Sequence, residues 1–204
     1  MKILQYLFIS LGHKILKLLP YTTIRILSFP IGTLYFLLTF RSSIKLFKRK
    51  EIFNELKINY KPLIVKINYT RYWLETLWLT NKNFSKYISP HVEIENLEYV
   101  EKLKKQYPGL IFALPHLGNW EFAIPIGNSI KLNLLAVAEP LNNSYVLNWF
   151  KSLRESLGIE IIIGGKGQNT FDLLVNKLKS GKDICLLSES CLLYTSPSPR
   201  DRSI

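Results

Sequence analysis

Residues 110–121 read LIFALPHLGNWE, and this stretch decides how the second half of the chain folds. Its first five residues form an apolar run of strand length, and Pro115 and Gly118 favour a turn directly after it. Further apolar runs follow at 132–138, 159–163 and 183–187, with helical patterns between them at 142–157 and 170–179. Strands that alternate with helices and are apolar almost throughout are typical of a parallel sheet covered on both faces. The sequence therefore predicts an α/β fold, with a largely parallel sheet flanked by helices.

The positive charge of the chain is concentrated in its first third. Residues 1–66 contain twelve Lys and Arg against two Glu, whereas residues 67–204 contain fifteen against thirteen acidic residues. These basic residues stand among long Ile, Leu and Phe clusters, a pattern that favours an anionic bilayer surface over nucleic acid. We therefore expect an anionic membrane surface as a partner, and no nucleic acid.

Helical patterns dominate this basic first third. Residues 1–20 predict an amphipathic helix, and residues 26–40 are about fifteen mostly apolar positions interrupted by Pro30 and Gly32. Because a bilayer span needs about 20 apolar residues, we expect an interfacial or core helix here. Residues 1–66 are thus predicted to be a basic, membrane-associating helical segment that precedes the α/β body.

The last residues differ in character from the rest. Residues 191–201 read CLLYTSPSPRD, which resembles the translation of a sequencing-library adapter. We expect residues 191–204 to be a non-native tail, the α/β body to span 67–190, and the natural sequence to be truncated near Ser190. Of the two cysteines, Cys185 lies in an apolar run and is expected to be a buried structural thiol.

His116 and Glu121 are the candidate catalytic pair. In a regular helix, side chains five residues apart point about 140° away from each other, so the pair can meet only across a turn. Across such a turn Glu121 could accept the imidazole Nδ1–H and leave Nε2 free to deprotonate an attacking hydroxyl. Taken alone, a His near a Glu is more often a satisfied polar pair than a catalytic one.

Several motifs resemble those of a known family. PHLGNWE at 115–121 contains the H-x4-E element of glycerolipid-type acyltransferases, in the form of the bacterial lipid A acyltransferase branch. YTRYWLE (69–75), LLAVAEPLN (134–142), WFKSLRESLGIEII (149–162) and ICLLSES (184–190) resemble the phosphatidylinositol mannoside acyltransferases within that branch. The resemblance covers residues 1–190. Asn96 departs from it, since the family often has Gly there, and this puts one turn in doubt.

The resemblance implies an O-acyltransferase that moves a fatty acyl chain from coenzyme A or acyl carrier protein to a glycolipid hydroxyl. The first expectation for the acceptor is phosphatidylinositol mannoside. His116 would be the general base and Glu121 its orienting carboxylate. The residues expected at the substrate are Glu139 for acceptor hydroxyls, Arg154 for a phosphate or polar headgroup, Glu189 at the end of a later strand, and Asn119 in the turn. Neither a cofactor nor a metal is expected, because the thioester is already activated.

Two alternatives stay open on the sequence. Within the class, the chain could be a lipid A lauroyl- or myristoyl-type acyltransferase; outside it, a non-catalytic lipid-binding membrane protein. In each case the expected location is the cytoplasmic face of a bacterial inner membrane, where the chain would be peripheral or monotopic.

Overall fold

The computed structural model describes residues 2–40, 61–115, 118–164 and 169–187. The chain divides into two compact units, Met1–Pro90 and His91–Ile204. The boundary expected at residue 66 falls inside a helix, Pro62–Trp78, which packs against the helix Tyr21–Leu38. The expected tail at 191–204 lies outside the described residues.

The first unit is helical. It contains α1 (Lys2–Leu16), α2 (Tyr21–Leu38) and α3 (Pro62–Trp78), then a helical turn (Asn81–Asn83), a π-helical segment (Phe84–Ile88) and a 3-10 turn (Ser89–His91) at the boundary. Pro62 opens α3, where its missing N–H has no helical partner to lose. Pro30 lies inside α2 without ending it.

Helices α2 and α3 approach each other closely. The buried residues of α2 are Ile24, Ser28 and Gly32, which recur every four residues and so share one face. A Cβ atom on Gly32 would lie 2.6 Å from the Ile67 Cα of α3, so only glycine permits this distance. Beyond it, Trp78 is fully buried and donates its indole N–H to the Leu19 carbonyl at 2.9 Å.

The outer faces of α1 and α2 are apolar and exposed. Helix α1 is held to α3 by His13, whose Nδ1 lies 2.7 Å from the Leu77 carbonyl oxygen. The opposite side of α1 exposes Leu4, Leu7, Phe8, Leu11 and Ile15, and α2 exposes Ile26, Phe29, Leu34, Leu37 and Leu38. By length and composition alone, α2 is the one described helix that could cross a membrane, and 17% of it is buried. An exposed apolar surface of this extent is unusual for a monomeric soluble domain.

The second unit is an α/β body. Its elements are α4 (Leu97–Gln106), β1 (Ile111–Leu114), a 3-10 turn (Trp120–Phe122), α5 (Ala123–Ser129), β2 (Leu134–Ala138), α6 (Ser144–Leu157), β3 (Glu160–Ile163), α7 (Thr170–Lys179) and β4 (Asp183–Leu187). The four strands are all parallel, in the order β1-β4-β2-β3. The predicted fold class, a parallel sheet flanked by helices and preceded by helical segments, is confirmed. Asn96 adopts a left-handed φ of 56°, which asparagine tolerates, so the turn that its departure put in doubt still forms.

A buried carboxylate joins three strands at the amino-terminal edge of the sheet. Asp183 is fully buried at the start of β4 and accepts the backbone N–H groups of Leu110 at 3.0 Å and Asn133 at 2.8 Å. The ammonium group of Lys104, on α4, lies 2.9 and 3.1 Å from its two oxygens. Because Leu110 precedes β1 and Asn133 precedes β2, this side chain fixes both neighbours of β4.

Candidate active site

The loop that follows β1 contains the H-x4-E element. Gly118 has a φ of +62°, and an added Cβ would meet nothing within 4 Å among the described residues, so this glycine is needed for its backbone conformation. Asn119 then starts the 3-10 turn by accepting the Glu121 N–H at 3.1 Å. The part of the loop that the structure describes is thus a turn, as the sequence predicted. His116 and Leu117 lie outside the described residues, and the contact between His116 and Glu121 stays a prediction.

Glu121 is buried and forms a two-pronged ion pair with Arg154. The carboxyl group is 2% exposed, and its Oε1 and Oε2 accept from Arg154 Nη2 at 2.5 Å and Nε at 3.0 Å. Parallel N–H···O bonds of this kind are among the strongest polar contacts in proteins, and they fix the plane of the carboxylate. Asn119 and Arg154 thus hold the backbone and the side chain of Glu121 from two different elements.

Arg154 is placed by the packing of α6. Asn143 begins this helix by accepting the N–H groups of Tyr145 and Val146, at 3.2 and 3.5 Å. Near its end, Leu153 and Leu157 are buried beside Arg154 and anchor that turn in the core.

The last turn of α6 is also tied to α5. Asn128 of α5 donates its amide N–H to the Leu157 carbonyl at 2.6 Å. The helix then ends at Gly158, whose φ is +104°. The arginine is therefore presented from a rigid helix, with its side chain 25% exposed.

The ion pair changes what Arg154 is expected to do. The guanidinium edge assigned from the sequence to a phosphate or headgroup binds Glu121 in the structure, because the two helical elements bring them together. Each carboxylate oxygen has two acceptor sites, so Glu121 can accept an imidazole N–H while it stays paired with Arg154. A headgroup contact by Arg154 stays a prediction.

The other two candidate carboxylates follow two neighbouring strands, β2 and β4, in the sequence. Glu139 is exposed and directly follows β2. Because β4 lies between β1 and β2, about 10 Å of sheet separates the ends of those two strands. Glu189 lies outside the described residues; the strand that leads to it, β4, ends at Leu187, which is paired in register with Leu114 of β1.

Cys185 was predicted to be a buried structural thiol, and in the structure it is half-buried. Burial, and then the nearby Asp183, raise its pKa to about 11, so the reactive thiolate is scarce at neutral pH.

The sequence contains no signal for the pairing of Arg154 with Glu121, since 33 positions separate them and only the tertiary fold joins them.

Comparison with known proteins agrees with the motifs. The family model described as bacterial lipid A biosynthesis acyltransferase matches residues 1–197. A phosphatidylinositol mannoside acyltransferase of Mycobacterium tuberculosis is 30% identical over 131 residues, which cover 63% of this chain and 41% of the relative. The enzyme of the same name from Mycolicibacterium smegmatis is 29% identical over 126 residues, or 60% of this chain and 40% of the relative. The matches thus span about two fifths of the length of these curated relatives. With the motifs, the parallel sheet and a family match over nearly all its length, the chain belongs to the bacterial lipid A biosynthesis acyltransferase family.

Proposed function

We propose that this protein transfers a fatty acyl group from an acyl thioester to a hydroxyl group of a glycolipid, with phosphatidylinositol mannoside as the acceptor. The observation that carries the proposal is the buried Glu121, held by Arg154 at the end of the turn that follows β1. A carboxylate fixed in this way, five residues after a histidine, suits the orientation of an imidazole base.

The reaction needs one base and no redox step. In the proposed mechanism His116 Nε2 removes the proton from the acceptor hydroxyl as its oxygen attacks the thioester carbonyl carbon. The carbon–sulfur bond then breaks, and the proton passes from the imidazolium to the leaving thiolate. Glu121 holds the imidazole tautomer and stabilises the imidazolium, and Arg154 keeps Glu121 in place. General-base catalysis of this kind contributes about 10²- to 10⁴-fold.

The acceptor is inferred from the relatives. The similar mycobacterial proteins are named for phosphatidylinositol mannoside, which favours that acceptor. The family model is described by lipid A biosynthesis, which favours a lipid A lauroyl- or myristoyl-type acyltransferase as the second candidate. Coenzyme A and acyl carrier protein are the two proposed carriers, and Glu139, Glu189 and Asn119 the proposed acceptor contacts.

We also propose that the first unit rests on the cytoplasmic face of a bacterial inner membrane. The exposed apolar faces of α1 and α2 support this placement, as does the excess of basic residues in the first third of the chain. Apolar side chains would enter the headgroup region while the cations meet anionic lipid.

The test measures acyl transfer in isolated membranes. Membranes with the wild-type chain or His116→Ala receive palmitoyl-coenzyme A or palmitoyl-acyl carrier protein, together with either acceptor, and mass spectrometry detects the product. Since residues 191–204 are expected to be non-native, a version that continues with the gene's own codons beyond 190 is assayed in parallel.

Each outcome has a defined meaning. Acylated mannoside that is lost in His116→Ala supports the proposal, and acylated lipid A precursor keeps the mechanism but changes the acceptor. Product that persists in the variant would remove His116 as the base. Lipid binding without any product, in both versions of the chain, would favour the non-catalytic lipid-binding protein.

A further inference from the structure

A guanidinium group in the first unit has an enclosed nitrogen without a partner. Arg71 lies on α3 midway between Ile67, which contacts Gly32 of α2, and Glu75, which is bonded to Tyr21 of α2. Because residues four apart on a helix share a face, Arg71 faces α2 as well. Its Nε is enclosed and makes no hydrogen bond in the described part of the protein. A buried donor without an acceptor costs stability, and a ligand that supplied the acceptor would remove this cost.

A second guanidinium lies nearby. The Tyr21 hydroxyl donates to Glu75 at 2.9 Å, and burial followed by Glu75 raises the pKa of Tyr21 to about 12. The charges of Arg25 and Arg71 both act to lower this pKa. Arg71 precedes Glu75 by one turn of α3, so it approaches the Tyr21–Glu75 bond from the other helix. Arg25 is exposed, one turn after Tyr21 on α2. The two cations therefore gather at the same end of the α2–α3 pair.

We propose that Arg71 and Arg25 form a binding site for the phosphate group of an anionic phospholipid. Guanidinium groups match phosphate oxygens in charge and in planar geometry. Arg71 as a whole is only partly buried, so a turn of its side chain brings the Nε edge to the surface, where a phosphate oxygen supplies the missing acceptor.

The choice of a lipid over free phosphate rests on the proposed membrane association. Ile26 and Phe29, next to Arg25 on α2, are exposed and apolar and would contact acyl chains below the headgroup. Both arginines belong to the first unit, whereas His116 and Glu121, which are proposed for acyl transfer, belong to the second.

The experiment compares two ways of changing Arg71 with a charge-matched control. The purified 204-residue chain is titrated with vesicles of phosphatidylglycerol and phosphatidylcholine and with vesicles of phosphatidylcholine alone. The variants are Arg71→Lys, which keeps the charge, Arg71→Gln, which removes it, and Lys82→Gln, which removes an exposed charge elsewhere in the first unit. Inorganic phosphate is added separately, and the melting temperature of the chain is recorded.

We expect Arg71→Lys to weaken binding to phosphatidylglycerol vesicles by about tenfold, since one charge-assisted bond with fork geometry is lost. Lys82→Gln should weaken it by no more than about fivefold. Arg71→Gln should melt no lower than Lys82→Gln, because it removes an enclosed N–H donor that has no acceptor. His116→Ala should leave vesicle binding unchanged, which separates this site from the proposed acyl transfer.

If inorganic phosphate raises the melting temperature of the wild type but not that of Arg71→Lys, the proposed site is upheld. Its ligand is then free phosphate and not a lipid headgroup. The proposal is overturned if Arg71→Lys binds the vesicles with wild-type affinity. It is also overturned if Arg71→Gln and Lys82→Gln lose the same amount of vesicle affinity, because overall charge then explains the binding. A clearly lower melting temperature in Arg71→Gln alone would also overturn it, since Arg71 would then serve to hold the helix pair together.

Discussion

Replacing Arg154 with methionine would leave the carboxylate of Glu121 buried without its main partner. Methionine replaces the aliphatic stem of the arginine side chain and removes both bonds to Glu121, at 2.5 and 3.0 Å. Breaking a buried pair in this way costs about 3–5 kcal/mol of stability. Because Arg154 is 25% exposed, water can enter the vacated space, and we expect the lower end, about 3 kcal/mol. For a chain of this size that corresponds to a fall of roughly 6–12 °C in melting temperature.

Hydrogen exchange followed by mass spectrometry would show where the loss occurs. Peptides from β1 and β2 should lose protection in Arg154→Met, whereas peptides from α2, in the other unit, serve as an internal reference. Adding Glu121→Gln to Arg154→Met should restore part of the stability, because the buried charge is then gone. A cost below about 1 kcal/mol for Arg154→Met, or strictly additive effects in the double variant, would refute the reasoning.

The same variant tests what Arg154 does in the proposed reaction. If Arg154 positions Glu121, kcat should fall by about 10²-fold or more while the KM for the acceptor changes little. If Arg154 instead binds the phosphate of the acceptor, KM should rise and kcat should be kept. Arg154→Lys should recover little in the first case, since an ammonium group cannot form the paired bonds.

Three further predictions concern stability and reactivity. Asp183→Asn should destabilise the second unit by about 3 kcal/mol in urea unfolding, since it removes a charge paired with Lys104 and one acceptor of a backbone N–H group. Unchanged stability would contradict the conclusion that Asp183 joins β4 to the starts of β1 and β2. Gly32→Ala should lower the melting temperature, since its Cβ would lie 2.6 Å from a backbone atom. The control Gly12→Ala should be neutral or stabilising, since its Cβ would lie 3.7 Å from the nearest side chain. Equal effects of the two substitutions would argue against the close helix contact. With the other cysteine replaced by serine, Cys185 should react with a thiol reagent at pH 8 about a hundredfold more slowly in native than in unfolded protein, and its rate should rise until about pH 11; rapid native labelling would contradict the raised pKa.

Much of the fold could be predicted because each element is defined by local sequence. The strand predicted at 183–187 and the helix predicted at 170–179 agree with β4 (Asp183–Leu187) and α7 (Thr170–Lys179). The other three strands, and the helices predicted at 1–20, 26–40 and 142–157, agree with the structure to within about five residues at each end. Hydrophobic periodicity was sufficient for this.

What could not be predicted depends on distant parts of the chain. The apolar pattern of residues 183–187 is the same wherever the strand is placed, so nothing local indicates that β4 lies between β1 and β2. Asp183 was treated as the first residue of an apolar run, and its role follows only from that order. The pairing of Arg154 with Glu121 is of the same kind, because it requires α6 to pack beside the turn after β1.

The central position of β4 also sets the order in which the protein can assemble. Strands β2 and β3 are close in sequence and can pair early, but β4, the partner of β1 in the described sheet, is synthesised about 70 residues later. During translation, β1 and the loop with the H-x4-E element must therefore wait without that neighbour. Pairing with β4 closes the sheet in one late step, in which Asp183 engages the starts of β1 and β2 together. A chain that pauses on the ribosome, or ends, before residue 183 would therefore expose the apolar strand β1 without this partner, and chaperones bind intermediates of this kind.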